Sequence, residues 1–101
     1  MKKILKLKEI NFETNLKIED LFEIAEGYIK GTGEDYEINR NDILYDLESH
    51  VTHEPVWYVD IIHLKTKIIW PDAYDTLAIS DREKRLVYVM NDHGVVVKKF
   101  C

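Results

Sequence analysis

The chain of 101 residues is poor in the residues that staple or punctuate small folds. Cys101 is its single cysteine, so no disulfide can form within it and nothing points to an oxidising compartment. Two prolines and four glycines are too few for a flexible linker or a low-complexity tract. No run approaches the ~20 apolar residues of a membrane-spanning helix. Met1 to Leu5 looks like the start of a secretory leader, but Lys6, Lys8 and Glu9 interrupt any apolar stretch behind it. A cytoplasmic location is expected. Catalytic signatures are missing too: there is no Gly-x-Ser-x-Gly elbow, phosphate loop or dinucleotide fingerprint. Gly31-Thr32-Gly33 is too short for one and follows a helical pattern instead of opening it.

What is present suits one globular domain over residues 1–101. Hydrophobic content is 46% and charged content 33%, outside the range of disordered chains. A chain of this length buries roughly 60–65% of its unfolded surface, enough for one core without staples. The core-forming stretch runs from Pro55 to Phe100. Val56 to Leu64 is almost wholly apolar and rich in β-branched and aromatic residues. Thr76 to Ser80, Arg85 to Met90 and Val95 to Phe100 are similar short runs, separated by turn chemistry at Asp81–Lys84 and Asn91–Gly94. Gly94 suits a positive φ. These runs predict an antiparallel sheet.

Ahead of them, Ile18, Leu21, Phe22, Ala25 and Ile29 fall at helical spacing and predict a helix over about 16–30. Thr14 or Asn15 suits its start, Gly31 its left-handed end, and Gly27 a close approach to the sheet. Lys2 to Phe12 reads as a short strand or extended arm, and Gly31 to Asn41 as a loop. Asn41 to Glu48 fits two patterns: a short second helix capped by Asn41, or a strand in a hairpin with residues 56–64. The predicted fold is α+β, with one main helix on an antiparallel sheet of four to five strands. Ile68, Ile69 and Trp70 beside Pro71 would extend a strand, cap the core or form an exposed patch.

The residues offer little to catalysis or metal binding. His50 and His53 stand three apart beside Glu54, but with no third ligand at coherent spacing they read as surface histidines, as do His63 and His93. Cys101 has no placed base, and the Ser80 hydroxyl suits a turn cap. Asp60 is an acid inside an apolar strand, sharing a face with Val56, Tyr58 and Ile62, and reads as a solvent-facing or hydrogen-bonded carboxylate. No enzyme activity, cofactor or metal is expected. The net charge of −5 is unevenly spread: residues 1–8 carry +4, residues 9–54 carry −10 and residues 55–101 carry +1. So acidic a middle segment disfavours nucleic acid and favours a cationic partner. The expected contact residues are Glu19, Glu23, Glu26, Glu34, Asp35, Glu37, Asp42 and Asp46.

An amphipathic helix, an acidic connection, the Trp57-Tyr58-Val59 strand and a meander turning at Ser80-Asp81 and Asn91–Gly94 resemble, over residues 18–100, small bacterial immunity proteins of contact-dependent growth inhibition and related polymorphic toxin systems. Some of those have a cone-shaped, nuclear-transport-factor-like fold. The order is also similar to PepSY-type domains. The first resemblance implies a non-catalytic inhibitor that binds and blocks a cognate protein toxin, often a nuclease, without membrane or nucleic-acid contact. The alternative is a small regulatory or ligand-binding domain of PepSY-like or cone-shaped type. For that alternative a patch at Ile68, Ile69 and Trp70 would mark a homodimer interface; otherwise a monomer or weak homodimer is expected.

Overall fold

The computed structural model describes residues 3–64 and 74–100. Along the chain these form β1 (Ile4–Lys6), a 3-10 turn (Leu7–Glu9), α1 (Ile18–Thr32), β2 (Tyr36–Ile38), β3 (Leu44–Asp46), β4 (Val56–His63), β5 (Asp75–Ser80), β6 (Arg85–Met90) and β7 (Val96–Lys99). All strand pairings are antiparallel, in the spatial order β1-β3-β4-β5-β6-β7. β2 pairs with the far end of β4, Tyr36 opposite His63 and Ile38 opposite Ile61, so β2 and β3 share one flank of that strand. The α+β class is as the sequence predicts. The sheet is larger, with seven strands where four to five were expected. The additional strands are three residues long, too short to establish an alternating pattern; β2 lies inside the stretch read as a loop.

The segment open to two readings, Asn41 to Glu48, contains a strand and no helix. Leu44 stands opposite Tyr58 and Asp46 opposite Val56, in the hairpin arrangement. Asn41 does not cap a helix; its N–H is held by Asn39 Oδ1 at 3.0 Å in a local turn.

β4 is buried on both faces, which explains its unbroken apolar run. Trp57, Val59 and Ile61 point to the helix side, joined by Tyr45, Leu77, Ile79 and Val89 and by Leu16, Leu21 and Ala25. Val56, Tyr58, Ala78, Val87 and Tyr88 form a second cluster on the opposite face, with Val51 from the β3–β4 connection packed against it.

The predicted helical stripe is correct at its centre and shifted at its ends. Leu21 and Ala25 are fully buried, with Phe22 and Ile29 packed beside them. Ile18 is 37% exposed, and Leu16, just before the helix, occupies the core instead at 4%. The helix opens at Lys17, whose N–H is accepted by Asp20 Oδ2 at 2.8 Å, so neither Thr14 nor Asn15 caps it. It closes at Gly33 with φ 71°, two residues beyond Gly31. Gly27 makes no close approach to the sheet: a Cβ built there meets nothing within 4 Å. In the hairpins, Ser80 Oγ accepts Glu83 N–H at 2.9 Å, the expected turn cap, and Gly94 has the expected positive φ of 76°.

Burial separates two neighbouring helix positions into a testable pair. Leu21→Ala should lower unfolding free energy by about 2–5 kcal/mol, whereas Ile18→Ala should cost under about 1 kcal/mol, measured by urea denaturation.

Candidate functional site

One buried carboxylate positions the helix. Asp81, at 5% exposure in the turn after β5, accepts three N–H groups: Asn15 N at 3.0 Å, Leu16 N at 2.9 Å and Trp57 Nε1 at 2.9 Å. The chain entering α1 is thereby tied to the middle of the sheet. With its apolar side on the sheet, α1 turns Glu19, Glu23 and Glu26 outward, and all three are exposed. Glu34, Asp35, Glu37 and Asp42, on and around β2, are exposed as well. Residues 18–42 carry eight carboxylates against Lys30 and Arg40, a net charge of −6.

Asp46 does not belong to this surface. It is 3% exposed, and its Oδ2 accepts the Tyr58 hydroxyl at 2.7 Å while its Oδ1 accepts Glu48 N–H at 3.1 Å. The Tyr58 oxygen lies 3.2 Å from Tyr88 Oη, which lies 2.6 Å from Ser49 Oγ. Ser49 Oγ in turn accepts Val51 N–H at 3.1 Å. Because an ionised carboxylate can only accept, each hydroxyl in the series donates toward Asp46. Burial, then the bonds to Tyr88 and Asp46, push the Tyr58 phenol far up. This network holds the β3–β4 connection on the second face of the sheet.

The acidic surface has internal structure. Arg40 lies between β2 and β3, with its guanidinium carbon 4.3 Å from the centroid of the Phe22 ring and Nη2 3.4 Å from Glu26 Oε1. Asn39 fixes the backbone on either side: its N–H donates to Asp60 O at 2.9 Å, its Oδ1 accepts the Asn41 N–H, and its Nδ2 donates to Asp42 Oδ2 at 3.1 Å. An open groove of about 620 Å³ runs beside Arg40, lined by Glu37, Ile38, Asn39, Asn41 and Ile62. No protein-family model, curated protein or solved structure matches this chain. The surface is therefore read from its own chemistry.

At the far end of β4, His63 is not simply a surface histidine. Its Nε2 lies 3.0 Å from Glu34 Oε2, and its ring meets Tyr36 edge-on at 4.9 Å. Tyr36 Oη reaches Asp75 Oδ2 at 3.5 Å, and burial, followed by the neighbouring Asp75 charge, pushes its pKa up to about 12. His50, His53 and His93 are exposed. Among the described residues no three His, Cys, Asp or Glu side chains converge as metal ligands. Nor is any described helix long and apolar enough to cross a membrane. The Ile68, Ile69 and Trp70 patch falls outside the described residues.

Asp60 lies beside the acidic surface and accepts the Thr76 hydroxyl at 2.7 Å. Burial raises its pKa, the Thr76 bond opposes the rise, and Asp42 adds to it. A carboxyl whose pKa is raised by folding stabilises the fold only while protonated. That contribution is complete below the ordinary Asp range and is lost as pH rises through the raised folded value. Asn at this position keeps an acceptor for Thr76 without the charge. Asp60→Asn should therefore stabilise the protein at pH 7 relative to wild type, and the gain should vanish near pH 3, read from urea midpoints at both pH values.

Proposed function

We propose that this protein is a non-catalytic immunity protein, one that binds a cationic protein toxin, most simply a nuclease, and neutralises it through its acidic surface. The observation that carries the reading is the exposure of Glu19, Glu23, Glu26, Glu34, Asp35, Glu37 and Asp42 on α1 and the chain that follows it. A nuclease presents Lys and Arg where phosphate binds. Carboxylates held on a packed helix can occupy that ground and exclude the substrate, with little ordering cost on the inhibitor's side. The basic stretch at Lys3, Lys6 and Lys8 lies outside this surface in sequence, and Lys6 and Lys8 border it in space, lining a groove with Asp42. For the alternative, a small regulatory or ligand-binding domain, the homodimer interface expected at Ile68, Ile69 and Trp70 lies outside the described residues.

The partner is sought by co-purification from the source cell, first against the protein encoded directly upstream. With that partner in hand, opposite fields should raise association at low salt above the ordinary 10⁵–10⁶ M⁻¹s⁻¹ by roughly 10–10³-fold. Joint Glu19→Lys, Glu23→Lys and Glu26→Lys substitution should slow association at least about tenfold and flatten its salt dependence. Unchanged rates at low ionic strength, or an acidic partner, would sink the proposal.

A further inference from the structure

Arg40 is one of two cations among residues 18–42, and it sits on the aromatic ring that the acidic helix presents. Phe22 is partly buried against the core cluster, and the guanidinium lies over its ring at 4.3 Å. Glu26, one helical turn on, receives Nη2 at 3.4 Å. The ring face and the carboxylate make a cradle for a planar cation, and the chain's own guanidinium fills it. We infer that the acidic surface recognises arginine in preference to lysine, and that the Phe22–Glu26 cradle is the point where a partner's guanidinium docks in place of Arg40. This rests on the acidic surface being the binding surface and adds which cation it selects.

Three features support exchange over a fixed structural pairing. The Arg40 and Glu26 side chains are 54% and 59% exposed, so water competes for their ion pair and little is lost when it opens. The turn that carries Arg40 is held by the three Asn39 bonds, none of which involves the Arg40 side chain. The guanidinium can thus leave while the backbone stays. The groove of about 620 Å³ beside it gives the displaced side chain and the incoming one room. Lysine can use the charge of Glu26 but lacks the flat, weakly hydrated face that stacks on an aromatic ring. Charge alone would treat the two cations alike.

The test uses two probes, a hexa-arginine and a hexa-lysine peptide, titrated into the full chain at low ionic strength with amide and Phe22 ring resonances followed by NMR. The expected result is tighter binding of hexa-arginine by about two- to fivefold, with the Phe22 ring resonances moving. Arg40→Ala should widen that ratio, because it empties the cradle for arginine while its loss of positive charge favours both peptides equally. Phe22→Leu, checked for folding by its amide spectrum, should abolish the ratio; Glu26→Gln, on an exposed position, should weaken both peptides. Equal affinities in wild type and Arg40→Ala, with Phe22 unmoved, would overturn the cradle and leave the acidic surface standing. If neither peptide bound, the acidic-surface reading itself would fail, and this inference with it.

Discussion

The fold depends on one carboxylate. Asp81 lies at the turn where β5 becomes β6, and from there it holds the two residues leading into the helix and the indole of Trp57. A buried indole N–H requires an acceptor, and the N–H groups of a chain passing over a sheet require one as well. Asp81 satisfies all three at once, across sequence separations of 24, 65 and 66 residues. Apolar burial supplies the drive to pack α1 on the sheet, but it is non-directional. The hydrogen bonds to Asp81 fix where the helix begins, and so which residues of α1 face outward. The acidic character of the exposed side follows from that setting.

The second face of the sheet is organised differently. No helix covers it among the described residues. A series of hydroxyls from Ser49 through Tyr88 and Tyr58 ends on Asp46, and the connection carrying Val51 closes over the apolar part. Fully satisfied polar networks of this kind are directional and fix a single packing. The molecule therefore uses its carboxylates in two ways. Asp46 and Asp81 are buried in hydrogen bonds that hold the chain, while those on α1 and around β2 are exposed to a partner's field.

Much of this could be read from the sequence. Period-2 and continuous apolar runs located β4 to β7, and helical spacing located α1, because both patterns follow directly from which face must be buried. β2 escaped because three residues carry no usable period. Asp46 was misjudged because its segment fitted helix and strand alike; read as a strand, alternation places it on the face of Leu44, away from Tyr45, and toward the buried Tyr58. The role of Asp81 was hidden by its place in a charged turn, where an acid is ordinary; the only hint was a Trp in an apolar strand whose indole would need an acceptor. Ile18 and Leu16 exchanged roles because the chain's entry to the helix, set by Asp81, brings Leu16 into the core. Long-range hydrogen bonds leave no local signature, and those to Asp81 account for the shift at the helix entry.

Asp81 is the residue on which the setting of the helix depends most directly. Replacing it with alanine leaves the Trp57 indole and the Asn15 and Leu16 amides without their acceptor. The decisive measurement is the equilibrium urea unfolding of Asp81→Ala beside wild type, followed by far-ultraviolet circular dichroism. The structure predicts a loss of about 3 kcal/mol or more, or failure to fold, since hydrogen bonds to charged groups contribute roughly 1.5–3 kcal/mol each and orphaned buried donors add their desolvation. A loss under about 1 kcal/mol would contradict the claim that this carboxylate sets the helix on the sheet.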